Sequence, residues 1–299
     1  MRVVSLLPSA TEIVRALGHE DRLVGVSHSC ALEDLPRVTS TRVPFRESSE
    51  TIDSYVRDHL GEHDALYDLD VELLTSLAPD VVVSQALCDV CAVSTGDVQQ
   101  AINSLPSSPV LVDLEPNTLD DVIDDVLRVG TALGDRAEAF RLQAELKQRR
   151  RAVAAKSAGI PEKQRPRVAF LEWLSPPFNG GHWNPELVEI AGGIDLLGAP
   201  GRPSSTLDWA TISAASPDVI FVACCGLTKE RALEDIETIS QSHEWQELPA
   251  VKNRRVYVAD GDFFSCPGPG LIDGLELLAH VLHPGIHPAP AATKAVNLT

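Results

Sequence analysis

The chain has 299 residues and a formal net charge of −18 at pH 7, with a sequence pI near 4.8. Binding to phosphate needs a clustered basic face, so this balance excludes nucleic acid as a partner and disfavours anionic membrane surfaces. The length suits two domains of ordinary size, and with 44% hydrophobic residues each can bury its own core.

The first predicted element is a strand over Val3–Leu7. No basic region followed by a long apolar run precedes it. A secretory signal is therefore not expected, and a cytoplasmic location is. No stretch is apolar for long enough to cross a bilayer. In a reducing compartment the six cysteines are expected as thiols or ligands, not disulfides.

Ser9-Ala10-Thr11-Glu12 has the spacing of a capping box, and Gly18 suits the left-handed position after the helix that follows. Leu23–Val26 reads as the next strand. Residues 31–66 are polar and irregular. Asp70–Leu77 reads as a helix, Val81–Ser84 and Val110–Val112 as strands.

Residues 118–157 change character. Leu119, Val122, Ile123, Val126, Leu127, Val129, Leu133, Phe140, Leu142, Leu146 and Val153 keep helical spacing. Asp120, Asp121, Asp124 and Asp125 come early, and Lys147, Arg149, Arg150 and Arg151 come late, which suits the helix dipole. The basic run reads as a solvated helix end. One long helix is expected over 117–158, as a stiff connector between an α/β lobe at 1–116 and another at 165–284.

In the second lobe Val168–Leu171, Val219–Val222 and Val256–Ala259 read as strands. Pro185–Ala191, Lys229–Ile239 and Leu271–Leu282 read as helices. Strands alternating with helices imply parallel sheets. Residues 285–299 are rich in Pro and Ala and read as a flexible tail.

The halves repeat each other. Leu69-Asp70-Val71-Glu72 through Pro79-Asp80-Val81-Val82-Val83 recurs as Leu207-Asp208-Trp209-Ala210 through Pro217-Asp218-Val219-Ile220-Phe221. Each copy reads as a short helix, a Pro-Asp turn and a buried strand. Two similar lobes imply a ligand cleft between them.

In open α/β sheets ligands sit beyond the carboxyl ends of strands, so the residues following each strand are the candidates. In the first lobe these are Pro8, Ser9, His28 and Gln85 to Cys91. In the second they are Glu172, Trp173, His182, Trp183, Cys224 to Gly226, and Phe263, Phe264, Ser265 and Cys266. All six cysteines fall in strand-end segments. Cys88 and Cys91 have the spacing that binds zinc or an iron–sulfur centre, cycles as a dithiol, or simply packs a loop. His28, Cys88, Cys91 and Cys224 are the candidate ligands for zinc, iron or cobalt. A lone histidine is more often a hydrogen-bonded structural residue than a ligand. Trp173 and the Phe263-Phe264 pair suit a flat apolar wall, whereas Phe178 and Trp209 read as core. No phosphate-binding glycine loop, GxSxG or HExxH is present.

These residues, in this order, resemble the class III, helical-backbone substrate-binding proteins. The resemblance rests on Leu6-Leu7-Pro8-Ser9-Ala10-Thr11-Glu12, Leu23-Val24-Gly25-Val26-Ser27, Ala78-Pro79-Asp80-Val81-Val82, Pro176-Pro177-Phe178 and Glu189-Ile190-Ala191-Gly192-Gly193. It is strongest to the vitamin B12-binding branch, in particular to signal-less members that carry Cys88-Asp89-Val90-Cys91-Ala92-Val93-Ser94. It implies two Rossmann-like lobes joined by one long helix and a ligand between them: cobalamin, haem, a siderophore or a metal. It also implies an acidic docking residue on each lobe for a permease. Glu72 meets that pattern and its repeat equivalent, Ala210, does not, so permease docking is not carried over. Three readings follow. The first is a cytoplasmic binding protein for a corrinoid or related metal-containing ligand. The second is a metal- or thiol-dependent enzyme using the Cys/His-lined cleft. The third is an ABC-transporter substrate-binding protein for cobalamin, haem or a siderophore.

Overall fold

The computed structural model describes every residue except 62–65, 86–92, 292–294 and 299, with the side chains of residues 60, 61 and 95 also left undescribed. The chain divides into two compact units. The first comprises 1–116 and 120–145, the second 117–119 and 146–299.

In the first unit the order is β1 (Val3–Ser5), α1 (Pro8–Ala16), β2 (Leu23–Val26), β3 (Thr39–Thr41), α2 (Ser49–Gly61), β4 (Tyr67–Leu69), α3 (Val71–Leu77), β5 (Val81–Gln85), α4 (Thr95–Ser104), β6 (Val110–Leu114) and α5 (Leu119–Ala132), then the start of α6 (Arg136–Ser157). Four strands form a parallel sheet in the order β2-β1-β5-β6, with Val3 beside Val81 and Val81 beside Val110. The apolar run Val81–Val83 is buried throughout, as a central parallel strand requires. The stretch read as irregular holds α2 and β3, and β3 pairs antiparallel with β4, Thr39 opposite Leu69.

The N-terminus of α1 differs from the expected capping box. Leu7 is the cap and Pro8 takes the first helical position, where its missing N–H costs nothing. Ser9 is thereby inside the helix and buried, and its hydroxyl has no hydrogen-bond partner among the described residues. Gly18 does close the helix, at φ +76° with its amide on the Arg15 carbonyl.

The periodic stretch 118–157 is two helices rather than one. Gly134 at φ +76° ends α5, and the Asp135 carboxylate starts α6 by accepting from the Glu138 amide at 3.2 Å. The longer helix, α6, carries the chain into the second unit. Two members of its basic run, Arg149 and Arg150, are half-buried and paired rather than solvated, while Arg151 is exposed. Arg149 Nε donates to Glu276 at 2.9 Å and its Nη2 reaches Asp273, while Arg150 donates to Glu186 at 2.9 Å. The other Glu186 oxygen accepts the Leu119 amide at 3.0 Å. Partly buried bidentate pairs of this kind hold helices together more firmly than exposed ones.

The second unit continues with β7 (Arg167–Leu174), β8 (Pro177–Asn179), α7 (Asn184–Ile190), β9 (Ile194–Asp195), α8 (Trp209–Ala215), β10 (Val219–Val222), α9 (Lys229–Ile239), α10 (His243–Glu247), α11 (Pro249–Lys252), β11 (Val256–Val258), α12 (Asp262–Ser265), α13 (Gly270–Leu282) and β12 (Val296–Asn297). The sheet order is β12-β11-β10-β7-β8, with β9 also on β7. The strands β11, β10, β7 and β9 are parallel, and β8 and β12 are antiparallel edges. The tail read as flexible is therefore partly placed: β12 pairs with β11, Val296 opposite Val258, and His287 is buried. No described helix is long and apolar enough to cross a membrane.

Candidate functional site

In the first unit, β1 delivers the chain to Pro8 and Ser9, and β5 ends at Gln85, buried and in register with Leu114. His28 follows β2. Its amide and its Nδ1 both meet the Thr39 hydroxyl at 2.9 Å, and its ring stacks on Tyr67 with centroids 5.4 Å apart. Thr39 and Tyr67 stand opposite ends of the β3–β4 pairing, so that small sheet is the bracket that holds the imidazole. Burial, then the nearby Arg37 charge, pushes the His28 pKa down. The ring is therefore kept neutral, and Nε2 is the nitrogen that Thr39 does not engage. A neutral imidazole fixed through one nitrogen is the form that ligates a metal through the other.

Gln85 begins the segment that carries Cys88 and Cys91. Those two cysteines lie outside the described residues.

In the second unit, β7 delivers Glu172. Its Oε2 accepts from the Gly181 amide at 3.0 Å and from Asn184 Nδ2 at 3.4 Å, and the Ser204 side chain also bonds the carboxylate. Burial raises its pKa, against the lowering effect of these donors. Gly181 is required where it stands, because an added Cβ would strike the Ser204 backbone. His182 adopts φ +51°, a conformation few side-chain-bearing residues take, and is held there by its amide on the Arg202 carbonyl at 2.6 Å. Its pKa is lowered by burial. Among the described residues, the buried His182 Nδ1 and Asn184 Oδ1 have no hydrogen-bond partner. These two atoms, with the buried Glu172 carboxyl and the left-handed His182, make this loop a candidate site.

Several predicted wall residues are core instead. Cys224 is fully buried in the core cluster with Ala169, Leu171 and Val222, and burial drives its thiol pKa far up, which holds it as a protonated thiol packed in the core. Phe264 is fully buried and packs on Phe170 and Phe221, with centroids 5.4 and 5.1 Å away. Trp183 is buried and donates its Nε1–H to the Phe264 carbonyl at 2.7 Å. Trp173 packs against the same core as Trp209. Phe263 is half-buried, Gly226 turns the chain at φ +69°, and Ser265 donates to the Gly261 carbonyl at 2.9 Å. Among the described residues no group of three or more His, Cys, Asp or Glu side chains is arranged to hold a metal ion.

Sequence reasoning missed Thr39, Tyr67, Gly181, Asn184 and Ser204. Asn184 had a local signal, being next to the candidates His182 and Trp183. Thr39 had none, since it lies in the stretch that reads as irregular.

The family model described as "Periplasmic binding protein" matches residues 3–263. The chain is 26% identical over 294 residues to an uncharacterized ABC transporter substrate-binding lipoprotein of Bacillus subtilis, covering 95% of this chain and 80% of that protein. It is 23% identical over 283 residues to the vitamin B12-binding protein of Vibrio cholerae, covering 92% of this chain and 86% of that one. Among solved structures, the periplasmic heme-binding protein RhuT of Roseiflexus sp. RS-1 shares the fold with a TM-score of 0.71 at 22% identity, over 95% of this chain and 98% of that one. With the family model spanning residues 3–263, the chain is a substrate-binding protein that belongs to the periplasmic binding protein family.

Proposed function

We propose that this substrate-binding protein takes a corrinoid, a cobalamin-like metal chelate, with His28 as the side chain placed to reach its metal. The observation that carries the reading is the His28 bracket: a neutral imidazole, fixed through Nδ1 by Thr39 and stacked on Tyr67. The likeness to a vitamin B12-binding protein over 92% of the chain supports it.

A second reading is the substrate-binding component of an ABC transporter for cobalamin, haem or a siderophore. The Bacillus subtilis relative favours it.

Titration with hydroxocobalamin, followed by visible absorption, tests the proposal, with hemin as the comparator. Saturation at one corrinoid per chain with a spectral shift supports it. Hemin binding with no corrinoid response overturns it in favour of the haem reading.

A further inference from the structure

A cluster of three histidines lies in the second unit, apart from the strand-end residues. His280 is in the last turn of α13, His283 follows that helix, and His287 closes the turn that begins there, its amide on the His283 carbonyl at 3.0 Å. His287 is 3% exposed. Its Nε2 is hydrogen-bonded to the hydroxyl of Ser157, the last residue of α6, at 3.1 Å. The other two rings face backbone carbonyls: His280 Nδ1 donates to His287 O at 3.0 Å, and His283 Nε2 donates to Gly192 O, just beyond α7, at 3.0 Å. The cluster thus joins the ends of α6, α7 and α13.

The three rings respond differently to a proton. His280 and His283 are N–H donors, and an imidazolium still donates, so those bonds survive protonation. His287 is the buried one. The titratable groups that act on it are Lys156 on α6, His280 on α13 and His283 just beyond α13. Among the described residues no carboxylate acts on it, so a charge there is buried next to like charge with no described counter-ion. Burial and those neighbours push its pKa down.

We propose that this cluster is a pH-operated latch: with His287 neutral it pins the turn 283–287 to the end of α6, and protonation of His287 releases that turn and residues 288–291, which follow it. The device is separate from ligand recognition and does not depend on which ligand is bound.

Hydrogen exchange of the full chain, corrected for intrinsic rates, tests it at about pH 7.5 and about pH 5.5, either side of an ordinary histidine midpoint. Protection of amides in 283–291 is expected to fall several-fold, up to about tenfold, on acidification, while Val219–Val222 of β10 is unchanged. In H287Q the fall is expected to disappear. Equal protection of the wild type at both pH values overturns the latch, as does an H287Q protein that keeps the full pH dependence. Should H287Q not fold, the His287 ring is titrated by NMR in the wild type. A ring midpoint coincident with loss of protection supports the latch. A ring that titrates while 283–291 stays protected, or release without titration of His287, overturns it.

Discussion

Arg2 and Asp80 clasp the start of two neighbouring strands: the Arg2 amide donates to Asp80 Oδ2 at 2.6 Å, and the Asp80 amide returns a bond to the Arg2 carbonyl at 2.8 Å. The Arg2 guanidinium then reaches the Leu77 carbonyl at 2.6 Å, at the end of α3. Arg167 and Asp218 repeat all three contacts, at 2.9, 2.8 and, to the Ala215 carbonyl, 2.7 Å. The residues between agree too. Asp70 and Asp208 cap their helices by accepting from Leu73 and Thr211, and Ala78 and Ser216 end them at φ 42° and 50°. The sequence repeat is therefore a repeat of hydrogen bonds. D80A and D218A are each expected to cost about 1 kcal/mol, and to cost similar amounts, in urea unfolding. A large effect at only one site contradicts the equivalence.

Asp125 gives the first unit a pH-dependent cost. It is 3% exposed, Arg128 donates to its Oδ1 at 2.8 Å, and its Oδ2 has no partner. Burial lifts its pKa to about 6, against the pull of Arg128. A carboxyl whose pKa is raised on folding stabilises the protonated native state, so its contribution is full below about pH 4 and is lost as pH rises through about 6. D125N is expected to raise Tm above about pH 6.5, by the equivalent of roughly 2 kcal/mol. That gain shrinks towards zero near pH 4. A gain independent of pH contradicts this assignment.

Cys224 is expected to resist thiol reagents in the native protein and to react only on unfolding, because its thiol is buried and protonated. C224S places a hydroxyl among apolar side chains and is expected to cost about 1–3 kcal/mol. Native-state alkylation located by peptide mapping decides the first point. Rapid labelling of Cys224 would return it to the ligand wall.

His28 separates ligation from binding. If its imidazole reaches the metal of a corrinoid, H28A is expected to abolish the spectral shift on addition of hydroxocobalamin while leaving measurable affinity from the remaining contacts. T39V, which removes the Nδ1 partner, is expected to weaken the shift by about tenfold or more in apparent affinity. An unchanged spectrum in H28A removes His28 from the site.

What the sequence determined by itself is local. The Asp70 and Asp208 caps, the Gly18 terminus and the buried strands Val81–Val83 and Val219–Val222 rest on hydrogen bonds and periodicities a few residues long, so the residues that make them are neighbours in the chain. The same local logic failed where two signals competed. Pro8 displaced Ser9 from the cap, and Gly134 broke a periodicity that otherwise ran unbroken. Tertiary structure decided the rest. Thr39 meets His28 only because β3 pairs with β4, and Gly181 and Asn184 meet Glu172 only because the loop after β8 folds back on β7. Ser157 meets His287 across 130 positions. Cys224, Trp183 and Phe264 stand at strand ends, as the sequence indicated, yet they face the core. A position along a strand does not say which side is covered. That depends on what packs there, and the packing partners come from distant parts of the chain.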